Sequence, residues 1–321
     1  MNEEVYNKFV IIASSIAIVM NLFSVYVIKF KGPKKEEIFT KYLIWGRLGD
    51  AFFAFISGIF LTIKVTLSHI LVISNGICHK LSGPYLCNFF VMLWILSIGI
   101  NYCVIGFPFF AMRNVFVLKK EAGYLSIFEK FLFVYCHVAT PITTLSISHL
   151  FIVPSKEIES LLKNESVLME FVNNPDYSVF MYDTRLTSVL MCTAYVLIFN
   201  YTFLLWYGHL VNYMPLRREL IKSKKEARLE TVSMIEKALV KIATIYLIPM
   251  FVALFPFSFA FIGLNIFRIP VSKEVERWVG ASVVIGPILY YILSPIVTIY
   301  TMRKDKGSGN NTVAVRPLNN R

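Results

Sequence analysis

Long apolar runs separated by short polar segments recur along the whole chain. A hydrocarbon core of about 30 Å requires roughly 20 apolar residues in a helix. On that criterion seven runs qualify as membrane spans, at about residues 8–29, 42–63, 87–111, 130–153, 186–214, 238–264 and 278–302. The pattern predicts an all-α, seven-transmembrane helix bundle over residues 1–303, followed by a short disordered cytoplasmic tail over residues 304–321.

Two further apolar features bear on the number of spans. The segment Val65–Ile77 is fairly apolar, but Ser68, His69 and Asn75 interrupt it, so we interpret it as a loop or interfacial stretch rather than an eighth span. The first apolar run is longer than the core of a cleavable signal peptide, and basic residues follow it directly. We therefore expect the first run to remain in the protein as a signal-anchor helix.

Composition supports lipid as the solvent. Hydrophobic residues make up 56% and charged residues 16% of the chain, and the mean hydropathy is +0.63. Soluble domains carry about a quarter charged residues, so this composition does not supply an ordinary water-facing surface. The five cysteines form no CxxC pair and no Cys/His zinc spacing, and we expect neither a metal nor another cofactor.

The distribution of basic residues predicts the orientation. Of the 32 Lys and Arg residues, 22 lie in the alternate segments 29–41, 112–130, 215–241 and 303–321, nine lie in the other segments, and Arg47 lies within a span. Cytoplasmic loops carry the excess of positive charge. The pattern therefore predicts an outside N-terminus and a cytoplasmic C-terminus, and it accounts for the net charge of +12 without a nucleic-acid partner.

One glycosylation sequon agrees with this orientation. Asn164-Glu165-Ser166 falls in segment 154–185, which the predicted topology places outside. Such a motif is a hypothesis, and a chance match is the alternative at Asn164.

Charged residues inside a span are costly and mark a function or a buried pair. Arg47 and Asp50 stand one helical turn apart in span two, on one face of the helix. An ion or switching site and a structural pair both remain open for them. Pro249 and Pro256 interrupt span six, as hinges or as ordinary membrane prolines.

Basic residues at the predicted cytoplasmic ends have two interpretations. Arg113 closes span three, and Arg217 and Arg218 open the basic loop 215–237, which has the character of a helical extension. Such residues contact anionic lipid or a cytoplasmic partner, although a solvated face requires neither. The chain contains no P-loop, no Gly-x-Ser-x-Gly and no His/Glu zinc cluster, so we expect no enzyme. A small multipass transporter or channel is one class of protein that fits this pattern.

The topology resembles that of G-protein-coupled receptors. Two stretches carry a narrower resemblance, and a third matches it poorly. The first runs from Ile235-Glu236-Lys237-Ala238-Leu239 to Pro249 and Pro256, and the second from Ser294-Pro295 to Tyr300-Thr301-Met302-Arg303. Both are similar to nematode serpentine chemoreceptors of the Str-like superfamily, with the subfamily open. The third, at the end of span three, departs from the family's aromatic-Tyr-Arg-Tyr pattern and keeps only Arg113.

The resemblance implies a chemosensory receptor in the plasma membrane of sensory neurons, including their cilia. Such a receptor binds a small, odorant-like molecule and signals through a heterotrimeric G protein. Arg113, Arg217 and Arg218 would then face the G protein, and Pro249 or Pro256 would bend span six. By depth in the bundle, the candidate pocket residues are Asn88, Met92, Thr187, Phe255, Phe259 and Trp278.

The resemblance also bears on the cysteines. Many such receptors join the top of span three to the second outer loop by a disulfide, but segment 154–185 contains no cysteine. Cys78 is the only other clearly external cysteine, so a Cys78–Cys87 bridge is the pairing that we expect in an oxidising exterior.

Overall fold

The computed structural model describes eleven longer stretches of the chain and a few single residues. The stretches are 3–31, 37–66, 71–82, 86–94, 113–115, 117–121, 124–139, 155–163, 166–181, 207–226 and 269–304. In these residues the protein is mostly helical, and three helices are long and apolar enough to cross a membrane: Glu3–Phe30, Leu43–Phe60 and Lys273–Tyr300. They correspond to the first, second and seventh predicted spans, while the other four spans remain predictions.

Helix α1 (Glu3–Lys31) begins with two acidic residues and ends in basic ones. This order matches the helix dipole, which favours negative charge at the N-terminus and positive charge at the C-terminus. Glu4 also accepts a hydrogen bond of 2.6 Å from Lys8, one turn into the helix.

Helix α2 (Glu37–Phe55) continues into a π-helical segment (Ile56–Phe60). It packs with α1 and with a long helix near the C-terminus, which we number α9 (Lys273–Lys304). Small residues line the contact between α1 and α2, and a Cβ at Gly58 would overlap the Ser14 hydroxyl. Membrane helices approach closely through such small residues, because lipid supplies no hydrophobic force to press them together.

The outward faces of the long helices remain apolar. On α1 the exposed side chains include Phe9, Ile12, Ile16 and Val19, while Val10, Ala13 and Ala17 are buried against the neighbouring helices. A water-facing helix would show the opposite distribution. These exposed faces are suited to lipid.

A three-stranded antiparallel sheet lies at the end of the bundle where α1 begins. Strands β1 (Ile63–Thr66), β2 (Leu71–Ser74) and β3 (Ser178–Met181) pair in that order. Ile63 stands opposite Ser74, and Leu71 stands opposite Met181. The all-α prediction missed this sheet. The segment interpreted as an irregular loop folds as a hairpin because its apolar residues form two short strands, each paired with a neighbour.

Both faces of the sheet are covered. One face packs on the helical bundle through Ile63, Val65, Val72 and Phe180. The other carries helices α6 (Ser155–Leu161) and α7 (Ser166–Asn173), through a buried cluster that includes Leu71, Ile73, Ile158, Leu162 and Met181. This coverage explains why all four residues of β2 are buried. Residues 63–82 and 153–181 are called the cap below.

A hydrogen bond and a disulfide attach the cap to the bundle, and a second hydrogen bond joins the two parts of the cap. The Tyr6 hydroxyl of α1 donates to the Ile63 carbonyl at 3.0 Å. Helix α3 (Ile77–Ser82) contributes His79, whose Nδ1 lies 2.8 Å from the Ser178 hydroxyl of β3. A disulfide joins Cys78 of α3 to Cys87 in helix α4 (86–94). The two predicted outer loops therefore fold as one unit.

The described residues also include two shorter helices outside the cap. Helix α5 (Ile127–Val134) starts with Ser126 as its N-cap and continues into a π-helical segment (Tyr135–Ala139). Helix α8 (Met214–Glu226) follows another π-helical segment (Gly208–Tyr213). The basic loop after span five is thus helical, as predicted, over the part that the structure describes.

Candidate functional site

Arg47 and Asp50 form an ion pair in the middle of the bundle. Arg47 Nη2 lies 2.8 Å from Asp50 Oδ2, and the two side chains are 6% and 1% exposed. Their i, i+3 spacing on α2 brings the charges together, as the sequence predicted. Whether the pair serves a function or only the structure stays open at this point.

The surroundings of the pair were not visible in the sequence. The Tyr290 hydroxyl of α9 is hydrogen-bonded to both Arg47 and Ser294. Close by in sequence, the Asn21 amide of α1 donates to the Tyr291 carbonyl of α9 at 2.7 Å. Polar side chains therefore join α1, α2 and α9 inside the membrane, where unsatisfied polar groups are expensive.

Arg47 retains donors that the ion pair does not use. Its Nε and Nη1 are buried and have no hydrogen-bond partner in the described part of the chain. A fully satisfied structural pair would use these N–H groups. Among the described residues, the pair therefore does not use all of the donors of Arg47.

Arg113 lies beside a buried carboxylate. Its Nη1 is 3.5 Å from Glu129 Oε1, and the two side chains are 21% and 2% exposed. Glu129 is the third residue of α5 and closes a capping box with Ser126, accepting from the Ser126 amide at 2.7 Å. It also accepts from Asn114 Nδ2 at 3.0 Å. Three donors are thus gathered around one carboxylate.

Arg217 and Arg218 lie on α8 and are both exposed. The neighbouring Glu219 pairs with Lys119 at 3.9 Å, which connects α8 to the segment before α5. Because Glu219 and Glu129 already have basic partners, the surface around α8 carries an excess of positive charge.

The predicted pocket residues divide between buried and exposed positions. Asn88 and Met92 lie on α4 and are buried, next to the Cys78–Cys87 bridge. Trp278 lies near the start of α9 and is 62% exposed, so its position gives no support to an enclosed pocket at that residue. Three of the six, Thr187, Phe255 and Phe259, lie outside the described residues.

Comparison with known proteins identifies the family. The family model described as serpentine type 7TM GPCR chemoreceptor Srh matches residues 1–268. The chain belongs to the Srh family of serpentine chemoreceptors. The resemblance to nematode chemoreceptors of the Str-like superfamily is therefore confirmed, and the open subfamily is Srh. A search of curated proteins finds no match to this chain.

The match to the Srh model covers the first six predicted spans and ends before α9. The membrane-receptor class is therefore shown by the family, while the similarity noted from Ser294 to Arg303 lies beyond the matched residues. Membership also makes an enzyme the less fitting class, since Srh proteins are described as chemoreceptors.

Two residues at the centre of these clusters in the Srh receptor, Glu129 and Tyr290, are not among the candidates named from the sequence. Glu129 had a visible signal, because Ser126-x-x-Glu129 is a capping-box pattern before an apolar run. Tyr290 had none, since a tyrosine in an aromatic-rich span is ordinary until its neighbours are known. The hinge candidates Pro249 and Pro256 and the sequon at Asn164 lie outside the described residues and remain predictions.

Proposed function

We propose that this Srh protein is a G-protein-coupled chemosensory receptor of the plasma membrane, with the cap outside the cell. It binds a small extracellular molecule on the cap side of the bundle and signals to a heterotrimeric G protein at the opposite end. Membership of the chemoreceptor family supports the general class. The observation that carries the coupling face is the Arg113–Glu129 pair, flanked by the exposed Arg217 and Arg218.

The orientation rests on two independent features. The excess of Lys and Arg in alternate segments supports a cytoplasmic position for the end that contains Arg113. The Cys78–Cys87 disulfide supports an outside position for the cap, because disulfides persist in oxidising compartments. An epitope tag at the N-terminus should be stained on intact cells, and a C-terminal tag only after permeabilisation. The reverse staining pattern would contradict the orientation.

Glycosylation provides a second measurement of the same topology. If the segment around Asn164 faces outward, treatment with an N-glycosidase should increase the mobility of the receptor on a gel. Asn164→Gln should abolish that shift. A shift that persists in the variant would show that another asparagine carries the glycan.

The coupling proposal assigns a role to the Arg113 guanidinium. In this structure it lies at the Glu129 carboxylate at 3.5 Å and is only partly exposed. A G protein that supplies acceptors of its own would compete with Glu129 for the guanidinium. Charge-assisted bonds of this kind are among the stronger polar interactions.

The test is a screen of small molecules on cells that express the receptor, with calcium or cyclic nucleotide as the readout. Arg113→Ala should reduce the maximal response by roughly tenfold or more, at equal surface expression. Lys130→Ala is the matched control, because Lys130 is an exposed cation on the same end of the bundle. An unchanged response in Arg113→Ala would remove Arg113 from the coupling face.

A transporter or channel is the competing function, and the buried Arg47–Asp50 pair is the feature that favours it. It predicts uptake of a solute into vesicles that is lost in Asp50→Asn. A receptor predicts ligand-dependent nucleotide exchange on Gα and no such uptake.

A further inference from the structure

Lys64 of β1 lies where four separate parts of the receptor meet. Its Nζ is 4.4 Å from the centroid of the Phe171 ring on α7 and 3.9 Å from Glu3 Oε2 at the start of α1. Arg277, in the first turns of α9, is close enough to act on its charge. The Lys64 ammonium therefore connects the cap to the start of α1, while the positive charge of Arg277 on α9 repels it.

The groups around this ammonium form a recognisable cation site. The rings of Phe171 and Tyr177 stand at 89° with centroids 5.3 Å apart, and the Tyr177 hydroxyl is hydrogen-bonded to Glu3. An aromatic face and a carboxylate are the two features that proteins combine to bind ammonium groups. We call Glu3, Phe171 and Tyr177 the amine site.

Lys64 is a poorly matched occupant of the amine site. Burial lowers the pKa of its amine, Glu3 opposes that change, and the positive charge of Arg277 lowers the pKa further. The side chain is one-third exposed, at 33%, so the ammonium can leave for water without crossing a packed core.

The local charge favours another cation in its place. Burial has the largest effect in raising the pKa of the Tyr177 hydroxyl, and the negative charges of Glu3, Asp176 and Glu170 raise it further. With Lys64 displaced, three carboxylates, of Glu3, Asp176 and Glu170, would remain around the Tyr177 hydroxyl. The amine site without Lys64 therefore has an acidic excess.

We propose that the amine site binds a small organic ammonium ion, and that Lys64 is a built-in occupant that this ligand displaces. The inference rests on the proposed receptor function and names its class of ligand. Displacement removes the contacts that Lys64 makes with Glu3 of α1 and Phe171 of α7. Binding is thereby transmitted to β1, which continues directly from the α2 segment.

The experiment measures binding of radiolabelled choline to the purified full-length receptor in lipid nanodiscs, without a G protein. Lys64→Ala empties the amine site and should tighten binding by roughly tenfold or more. Phe171→Leu in the Lys64→Ala background should abolish that gain, whereas Phe171→Tyr, which retains an aromatic face, should preserve it. The uncharged carbon isostere dimethylbutanol should not compete.

Glutamate variants supply a matched pair. Glu3→Gln should weaken choline binding, and Glu4→Gln should leave it unchanged, because Glu4 instead pairs with Lys8 at 2.6 Å. Acylation of the Lys64 amine, followed by mass spectrometry, should increase on addition of choline as the side chain moves into water. Lys8 serves as the internal reference.

Two results would overturn the inference: no gain in affinity in Lys64→Ala, or competition by dimethylbutanol equal to that by choline. Its failure is distinguishable from that of the proposed function. A G-protein response to another ligand, with no choline binding even in Lys64→Ala, would refute the amine site alone. Choline binding with the predicted pattern, but with no nucleotide exchange on Gα for any ligand, would refute the receptor function and support the site.

Discussion

Removing one charge of the intramembrane pair is the most direct test of its role. Asp50→Asn keeps the volume of the side chain and leaves the Arg47 guanidinium without a counter-charge. At 2.8 Å the Coulomb attraction is about 6 kcal/mol for an effective dielectric constant of about 20. The substitution also relieves the cost of burying the Asp50 carboxylate, but Arg47 stays buried without compensation, and breaking one side of a buried pair in this way costs about 3–5 kcal/mol. We expect a loss in that range.

Removing both charges should cost far less than removing one. In Arg47→Met/Asp50→Leu no charge remains buried, and we expect stability within about 1–2 kcal/mol of the parent. Tyr290 loses Arg47 as a partner in this variant but retains Ser294. Arg47→Met, Asp50→Leu and the double variant form a thermodynamic cycle with the parent, which isolates the coupling between the two side chains.

The assay is thermal unfolding of the purified receptor in nanodiscs, followed by tryptophan fluorescence. Ser57→Ala is the matched control, because Ser57 is a buried polar residue of the same span that donates a 3.4 Å hydrogen bond to the Ala54 carbonyl. We expect its loss to stay below about 1 kcal/mol. The reasoning is wrong if Asp50→Asn is no less stable than Ser57→Ala, or if the cycle yields no coupling.

The same variants separate the two interpretations that the sequence left open. If the double variant recovers both stability and signalling, Arg47 and Asp50 serve only to hold α2 in the bundle. If it recovers stability and loses signalling, the pair acts as a switch.

Three further predictions concern the two ends of the bundle. Glu129→Ala should cost about 2–3 kcal/mol in thermal unfolding, since it removes the capping-box bond and the partner of Arg113, whereas Glu219→Ala should cost below about 0.5 kcal/mol; equal losses would contradict the role of the buried carboxylate. Replacing Cys78 and Cys87 by serine should lower stability by roughly 2.5 kcal/mol, and an unchanged unfolding midpoint would show that this closed loop contributes nothing. Burial, together with the positive charge of Arg277, lowers the pKa of the Lys64 amine below 10.5, so the neutral amine predominates from a lower pH than in a free lysine. Acylation of Lys64, measured by mass spectrometry as the pH is raised, should therefore have its midpoint below 10.5. A midpoint at or above that value would refute the lowered pKa.

The sequence by itself determined the features that depend on neighbours along one helix. An apolar run long enough for a bilayer specified the first, second and seventh spans, because in lipid a helix satisfies its own backbone. The i, i+3 spacing of Arg47 and Asp50 and the capping box of Ser126 and Glu129 are equally local. The Srh match then supplied the receptor class over residues 1–268.

Only the tertiary structure decided which distant segments meet. Pairing of β2 with β3 joins residues more than a hundred positions apart, and short strands have no periodic signal long enough to show their partner or register. The same holds for Lys64 with Phe171, and for Arg47 with Tyr290. Hydropathy records the preference of each residue for lipid or water. It does not distinguish among the many residues that could pack against a given side chain. Specific contacts at the cap and in the bundle therefore arise from packing.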